Sequence, residues 1–130
     1  MGTNNLKQNK ENAIAFYEQM FNENDPRGAI EKYTGAEYIQ HNPHVEDGKE
    51  GFIKYFEEMA EGYPGKKVHV KKAIAEENLV VLHTFQEWPT EDHNYVTMDI
   101  FRFDEEGKIV EHWDVLQTMP DNFAHNNGMF

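Results

Sequence analysis

A change of hydrophobic period at Gly62-Tyr63-Pro64-Gly65 constrains this chain more than any other feature in it. Before that break, apolar residues recur at helical spacing; after it, they follow the spacing of strands. "NKENAIAFYEQMFNEND" sets Ile14, Tyr17 and Phe21 in one stripe, with Ala13, Phe16 and Met20 beside it, which predicts an amphipathic helix. "DPRGAIEKYTG" predicts a second helix, with Asp25 as N-cap, Pro26 at the first helical position and Gly35 as the stop. "DGKEGFIKYFEEMAEGYPG" predicts a third through Phe52, Ile53, Phe56, Met59 and Ala60. Beyond the break, "KKVHVKKAIA" alternates, "EEN" turns the chain, and "LVVLHTFQEW" is a strand with apolar groups on both faces. The loop Pro89 to Asp92 leads into a final hairpin, "TMDIFRFDEEGKIVEHWDVLQ". About three helices followed by about four antiparallel strands make an α+β fold. A sheet apolar on both faces must be covered twice, so the helices cover one face and a second copy of the chain is expected on the other, in a homodimer.

A length of 130 residues suits one domain, and no linker, repeat or low-complexity tract divides it. The chain lacks cysteine, which removes disulfides, thiol nucleophiles and thiolate metal sites, and it lacks serine, which removes serine-based mechanisms. With 12 Lys plus Arg against 24 Asp plus Glu, a net charge of −12 argues against nucleic acid, whose phosphates need a basic face. No apolar stretch approaches the ~20 residues of a membrane span, and the first residues lack the apolar block of a secretory signal. The expectation is a cytoplasmic protein. Nine Phe, six Tyr and two Trp are enough to line a cavity as well as fill a core.

The final hairpin carries ionisable groups among residues that should be buried. "FDEEGKI" predicts a three-residue loop closed by Gly107 in the left-handed conformation, pairing Asp104 with Lys108 and Phe103 with Ile109. Counting outward puts Asp99, Phe101, Phe103, Ile109, Glu111 and Trp113 on one face, and Met98, Ile100, Arg102, Val110, His112 and Asp114 on the other. Asp99 beside an indole and phenyl rings loses water, which makes it a candidate acid or base. The competing reading has Asp99 at the surface or paired with Arg102 or Lys72. A register one residue tighter would swap the faces and make His112 and Asp114 the pocket pair.

His41, before the Asn42-Pro43 turn, sits at a loop rim above the sheet and suits proton transfer. His83 lies in an apolar strand, where a histidine is more often a hydrogen-bonded core group than a catalyst. Tyr17 reads as core with its hydroxyl within reach of a cavity. No HExxH, GxSxG, Walker or dinucleotide motif occurs, so no metal or organic cofactor is expected. What remains is acid–base chemistry by Asp, His and Tyr on a weakly charged, partly apolar ligand.

"YIQHNP" after the second helix, together with "DIFRFDEEGKIVEHWDVLQ" near the end, resembles the SnoaL-like polyketide cyclase family of the superfamily named for nuclear transport factor 2. The resemblance covers roughly Lys10 to Met119 and implies a single domain over 1–130, with flexible termini, built as a cone-shaped curved sheet packed on the helices. It further implies an intramolecular aldol condensation of a small apolar or aromatic carbonyl compound. Asp99 matches the family's acid/base aspartate, although Met98 before it departs from the pattern. His83 is the nearest match to a pocket histidine, His41 and Asn42 match a polar position, and Trp113 matches a pocket wall that Phe101 and Tyr17 would complete. The same superfamily holds non-catalytic binding proteins, which is the alternative function.

Overall fold

The computed structural model describes residues 5–130. Of the N-terminal residues before about Lys10 expected to be flexible, the first four lie outside the described residues and Leu6 to Asn9 belong to a helix. Helix α1 spans Leu6–Tyr17 and is capped by the Asn5 side chain, which accepts from the Gln8 N–H. It continues as a wider turn, Glu18–Asn22, where the Glu23 N–H reaches back to the Glu18 carbonyl. That one-residue widening brings Phe16, Tyr17, Met20 and Phe21 all into the core. Helix α2, Pro26–Tyr33, starts as expected, with Asp25 accepting from the Gly28 N–H at 3.0 Å.

The chain then enters a strand that the sequence reading left out. β1, Thr34–Gln40, runs directly out of α2 and buries only Thr34 and Tyr38. Such a pattern lacks the alternation by which strands are recognised. Helix α3 covers Lys49–Gly62, and β2 (Lys67–Glu76), β3 (Leu79–Glu87), β4 (Tyr95–Phe103) and β5 (Ile109–Thr118) follow. The sheet order is β1-β5-β4-β3-β2, with β1 parallel to β5 and the other pairs antiparallel. The fold is α+β: three helices on a curved, unclosed, mixed sheet of five strands, rather than about four purely antiparallel ones.

The β4–β5 turn forms as expected. Gly107 takes φ +79°, and Asp104 and Lys108 are bonded across it. Beyond the turn the register slips. Phe103 pairs with Ile109, but Arg102 pairs with Glu111, leaving Val110 as an extra residue in a bulge. Ile109 and Val110 are consequently both buried. From there Phe101 faces His112, Ile100 faces Trp113 and Asp99 faces Asp114. The bulge thus exchanges the faces of β5, as a one-residue slip must. His112 and Asp114 join Asp99, Phe101 and Thr97 on the helix-covered face, while Glu111 and Trp113 turn to the outer face.

Candidate functional site

The helix-covered face of β4 and β5 closes one end of a cavity of about 650 Å³, within the usual ~300–1,000 Å³ of small-molecule sites. Seven of its lining residues are aromatic, among them Tyr17, Tyr55, Tyr63, Trp88 and Tyr95. Asn42, Gln86 and Asp114 supply polar groups. A narrow recess of about 20 Å³ shares Tyr17, Asn42, Phe56 and Asp114 with the cavity wall and reaches inward to Tyr38, Gln40, Phe101 and His112.

Three ionisable side chains converge here. Asp99 is fully buried, and its Oδ1 lies 3.7 Å from His112 Nε2. Thr97 Oγ1 donates to Asp99 Oδ2 at 3.4 Å, whereas Asp99 Oδ1 has no hydrogen-bond partner. The Tyr38 hydroxyl is likewise buried without a partner. One ligand atom from each of Asp99, His112 and Asp114 fits within 4.8 Å of the others, so these three side chains are also the grouping able to hold a metal ion.

The orientation of the imidazole follows from its neighbours. Gln40 pairs with His112 across the parallel β1–β5 edge. Gln40 Oε1 accepts the backbone N–H groups of His41 and Asn42, both at 3.1 Å, which identifies that atom as the amide oxygen. His112 Nδ1, 2.9 Å from the same oxygen, must therefore be the N–H donor. Nε2 is left facing Asp99, as a lone pair in the neutral ring and as a second donor in the imidazolium. Asn42 is fixed in the same way. Its Oδ1 accepts from the His44 N–H at 2.8 Å, so its Nδ2 donates to both Asp114 oxygens at 3.0 Å.

Burial pushes the Asp114 carboxyl above its ordinary 3.8; the Asp99 charge adds to that, against the opposing pull of His112, the Asn42 hydrogen bond and His44. Burial also pushes the Tyr17 hydroxyl well above the ordinary phenol value, with the Asp99 charge adding to it, so Tyr17 stays a protonated donor. Gln86 Nε2 donates to that hydroxyl at 3.3 Å and its Oε1 accepts from the Trp88 indole, tying the wall together.

The predicted residues divide between the two sides of the sheet. Asp99, Tyr17, Phe101, Asn42, His112 and Asp114 gather on the cavity side. His41, Trp113 and His83 do not. His41 stacks on Trp113 with ring centroids 4.9 Å apart and bonds to Glu111, which Arg102 also holds. This outer assembly follows from the bulge, which turned Trp113 and Glu111 outward. His83 pairs with Met98 one position from the Leu82–Asp99 pair, so it too faces outward, against Phe130. The sheet therefore separates both histidines from Asp99; His112 is the imidazole beside it. The C-terminal tail brings Phe130 against His83 and Phe85 on the outer face. Gln40 and Tyr38 escaped the sequence reading because β1 did. Gln86, Trp88 and Tyr95 escaped because nothing in their local pattern separates a cavity wall from core.

A family model described as SnoaL-like domain matches residues 13–112. Among solved structures, the chain is similar to TsrD from Streptomyces laurentii (20% identity, TM-score 0.74, over 88% of this chain and 91% of that one). It is similar to a candidate polyketide cyclase of Acidithiobacillus ferrooxidans (16%, TM-score 0.72, over 84% and 87%). It is also similar to an M. tuberculosis LEH-like epoxide hydrolase (15%, TM-score 0.68, over 86% and 84%). At these identities the likeness establishes the fold. No functionally curated protein matches the sequence.

Proposed function

The chain belongs to the SnoaL-like domain family, and from that membership and the geometry of the cavity we propose that it performs cyclase- or isomerase-type acid–base chemistry on a small carbonyl compound. The observation that carries the reading is the convergence of Asp99, His112 and Asp114 at the end of an aromatic cavity, with Asp114 on the wall and Asp99 behind it. Asp114 is the group that meets the ligand. As the carboxylate it removes a proton next to the carbonyl, and the carbonyl oxygen takes up the negative charge as an enolate. The Tyr17 hydroxyl donates a hydrogen bond to that oxygen. The enolate carbon then either attacks a second carbonyl, forming a C–C bond whose alkoxide takes the proton back from Asp114, or is reprotonated at another carbon. Atoms and charge balance on either route without an added reductant or oxidant.

His112 and Asp99 act behind Asp114. Gln40 holds the imidazole with the Nε2 lone pair toward Asp99, so a proton that reaches Nε2 during turnover arrives beside a carboxylate. General acid–base catalysis of this kind contributes ~10²–10⁴-fold. The test is turnover of a panel of small diketones by Asp114→Asn and Asp99→Asn. Loss of turnover with folding retained supports the reading, and full activity in Asp114→Asn ends it. On the same footing, the outer sheet face is proposed to pair with a second copy of the chain.

A further inference from the structure

Resting on that reading of the cavity, we infer that its ligand carries a positive charge: a protonated amine or quaternary ammonium attached to an apolar body. The wall is built for such a group in three respects. Rings dominate it and stand at right angles to one another. Tyr63 and Tyr95 meet Trp88 at interplanar angles of 84° and 85°, with centroids 5.3 and 6.2 Å away. Perpendicular walls offer π-faces and ring edges to one half-open cavity, and a cation within about 6 Å of an aromatic face is attracted by the ring quadrupole. Carboxylates accompany the rings: Asp114 inside and Glu91 at the rim. Among the described residues, no Lys or Arg lines the cavity. Lys66 lies outside the lining, behind the Phe21 ring at 4.2 Å from its centroid, where the Phe21 carbonyl and Asn24 Oδ1 hold its ammonium.

Each alternative ligand charge meets an obstacle. An anion would enter against Asp114, Glu91 and Asp99 in a chain of net charge −12, with no guanidinium or ammonium on the wall to receive it. A neutral ligand would leave the half-buried Asp114 carboxylate with Asn42 as its hydrogen-bond donor and no Lys or Arg on the cavity wall to offset its charge. A cation supplies the counter-charge while lying against aromatic walls. His44 is the one imidazole on the wall, so the test is set at pH 8, above the reference imidazole value of ~6.5.

The experiment titrates the whole chain by calorimetry with three matched probes: benzyltrimethylammonium, its neutral carbon isostere neopentylbenzene, and phenylmethanesulfonate. The expected order is ammonium tightest by roughly tenfold over the neutral isostere, with the sulfonate not binding. Asp114→Asn and Trp88→Leu should each weaken the ammonium while leaving the neutral probe within a few-fold, which also reports that the variant is folded. Neutral or anionic probe binding as tightly as the ammonium, or no ammonium binding, overturns the inference. Because this readout involves no turnover, its failure leaves the acid–base reading standing; that reading fails on its own measurement, full activity in Asp114→Asn.

Discussion

Asp99 and His112 meet 3.7 Å apart behind the cavity wall, both nearly out of solvent, and one oxygen of Asp99 has no hydrogen-bond partner. A buried, half-satisfied carboxylate weakens the fold, because its lost hydration is not replaced. Asp99→Asn keeps the shape and the acceptor for Thr97, and its new amide donates to the Nε2 lone pair of a neutral His112. We expect that variant to gain about 1–2 kcal/mol of unfolding free energy while losing turnover by roughly 10²-fold or more. Urea denaturation measures the first effect and initial rates the second. A variant less stable than the parent would mean that Asp99 pairs with an imidazolium.

Gln40 determines which nitrogen of His112 carries the proton, and this role can be read separately from folding. Gln40→Leu removes the acceptor for Nδ1–H and for two backbone N–H groups, at a stability cost of about 1 kcal/mol. Its ¹⁵N shifts should move from the Nδ1–H tautomer toward a mixture. Gln40→Glu retains an acceptor at the same place and should restore the Nδ1–H signature. Unchanged His112 nitrogen shifts in Gln40→Leu would refute the assignment.

The pH dependence of stability carries the imprint of Asp114. Burial raises its folded pKa above 3.8, so the folded state binds its proton more tightly than the unfolded state. The stability linked to that proton is fully present below 3.8 and is lost as pH rises through the folded value. Glu111 acts in the opposite sense. Desolvation works to raise its pKa, but hydrogen bonds from His41 and Arg102 outweigh it and lower it, so its contribution disappears as pH falls. The informative quantity is therefore a difference: Asp114→Asn should gain stability relative to the parent as pH climbs from about 3.8 toward neutrality. Parallel urea titrations at several pH values measure it, and a pH-independent difference would contradict it.

The parts of the fold that local chemistry dictates were legible in the sequence. Asp25 and Pro26 announce α2, Gly107 announces its turn, and Phe52 and Ile53 announce the buried side of α3. The site was half legible. Asp99 in an apolar strand stood out, but its partners depended on the parity of β5, and one bulged residue reverses parity. The available signal was the doublet Ile109-Val110, two apolar neighbours where strict alternation allows one inward residue. Read as a bulge, it brings His112 and Asp114 to Asp99 and turns Trp113 outward. The contribution of Gln40 could not be read locally, because β1 joins the sheet by a parallel pairing with residues some seventy positions away in the chain.

The outer sheet face supplies the last prediction. Val115 opposes Met98, and Met98 opposes His83, forming a row across β5, β4 and β3 on the side away from the helices. Val115 is 68% exposed and Met98 44%, and Ile74 on β2 is 61% exposed. A contiguous apolar patch of this kind on a sheet favours association with a like surface. We expect the chain to sediment at twice its 15.3 kDa mass. The double variant Met98→Glu with Val115→Glu should sediment as a monomer with an unchanged circular dichroism spectrum, since neither side chain contributes to the core and like charges meet across a two-fold interface. Met98 lies across the sheet from Asp99 and outside the cavity lining, so the single variant Met98→Glu should still bind the cavity probes. A parent chain that sediments as a monomer at micromolar concentration would show that Phe130 and its neighbours are cover enough for this face.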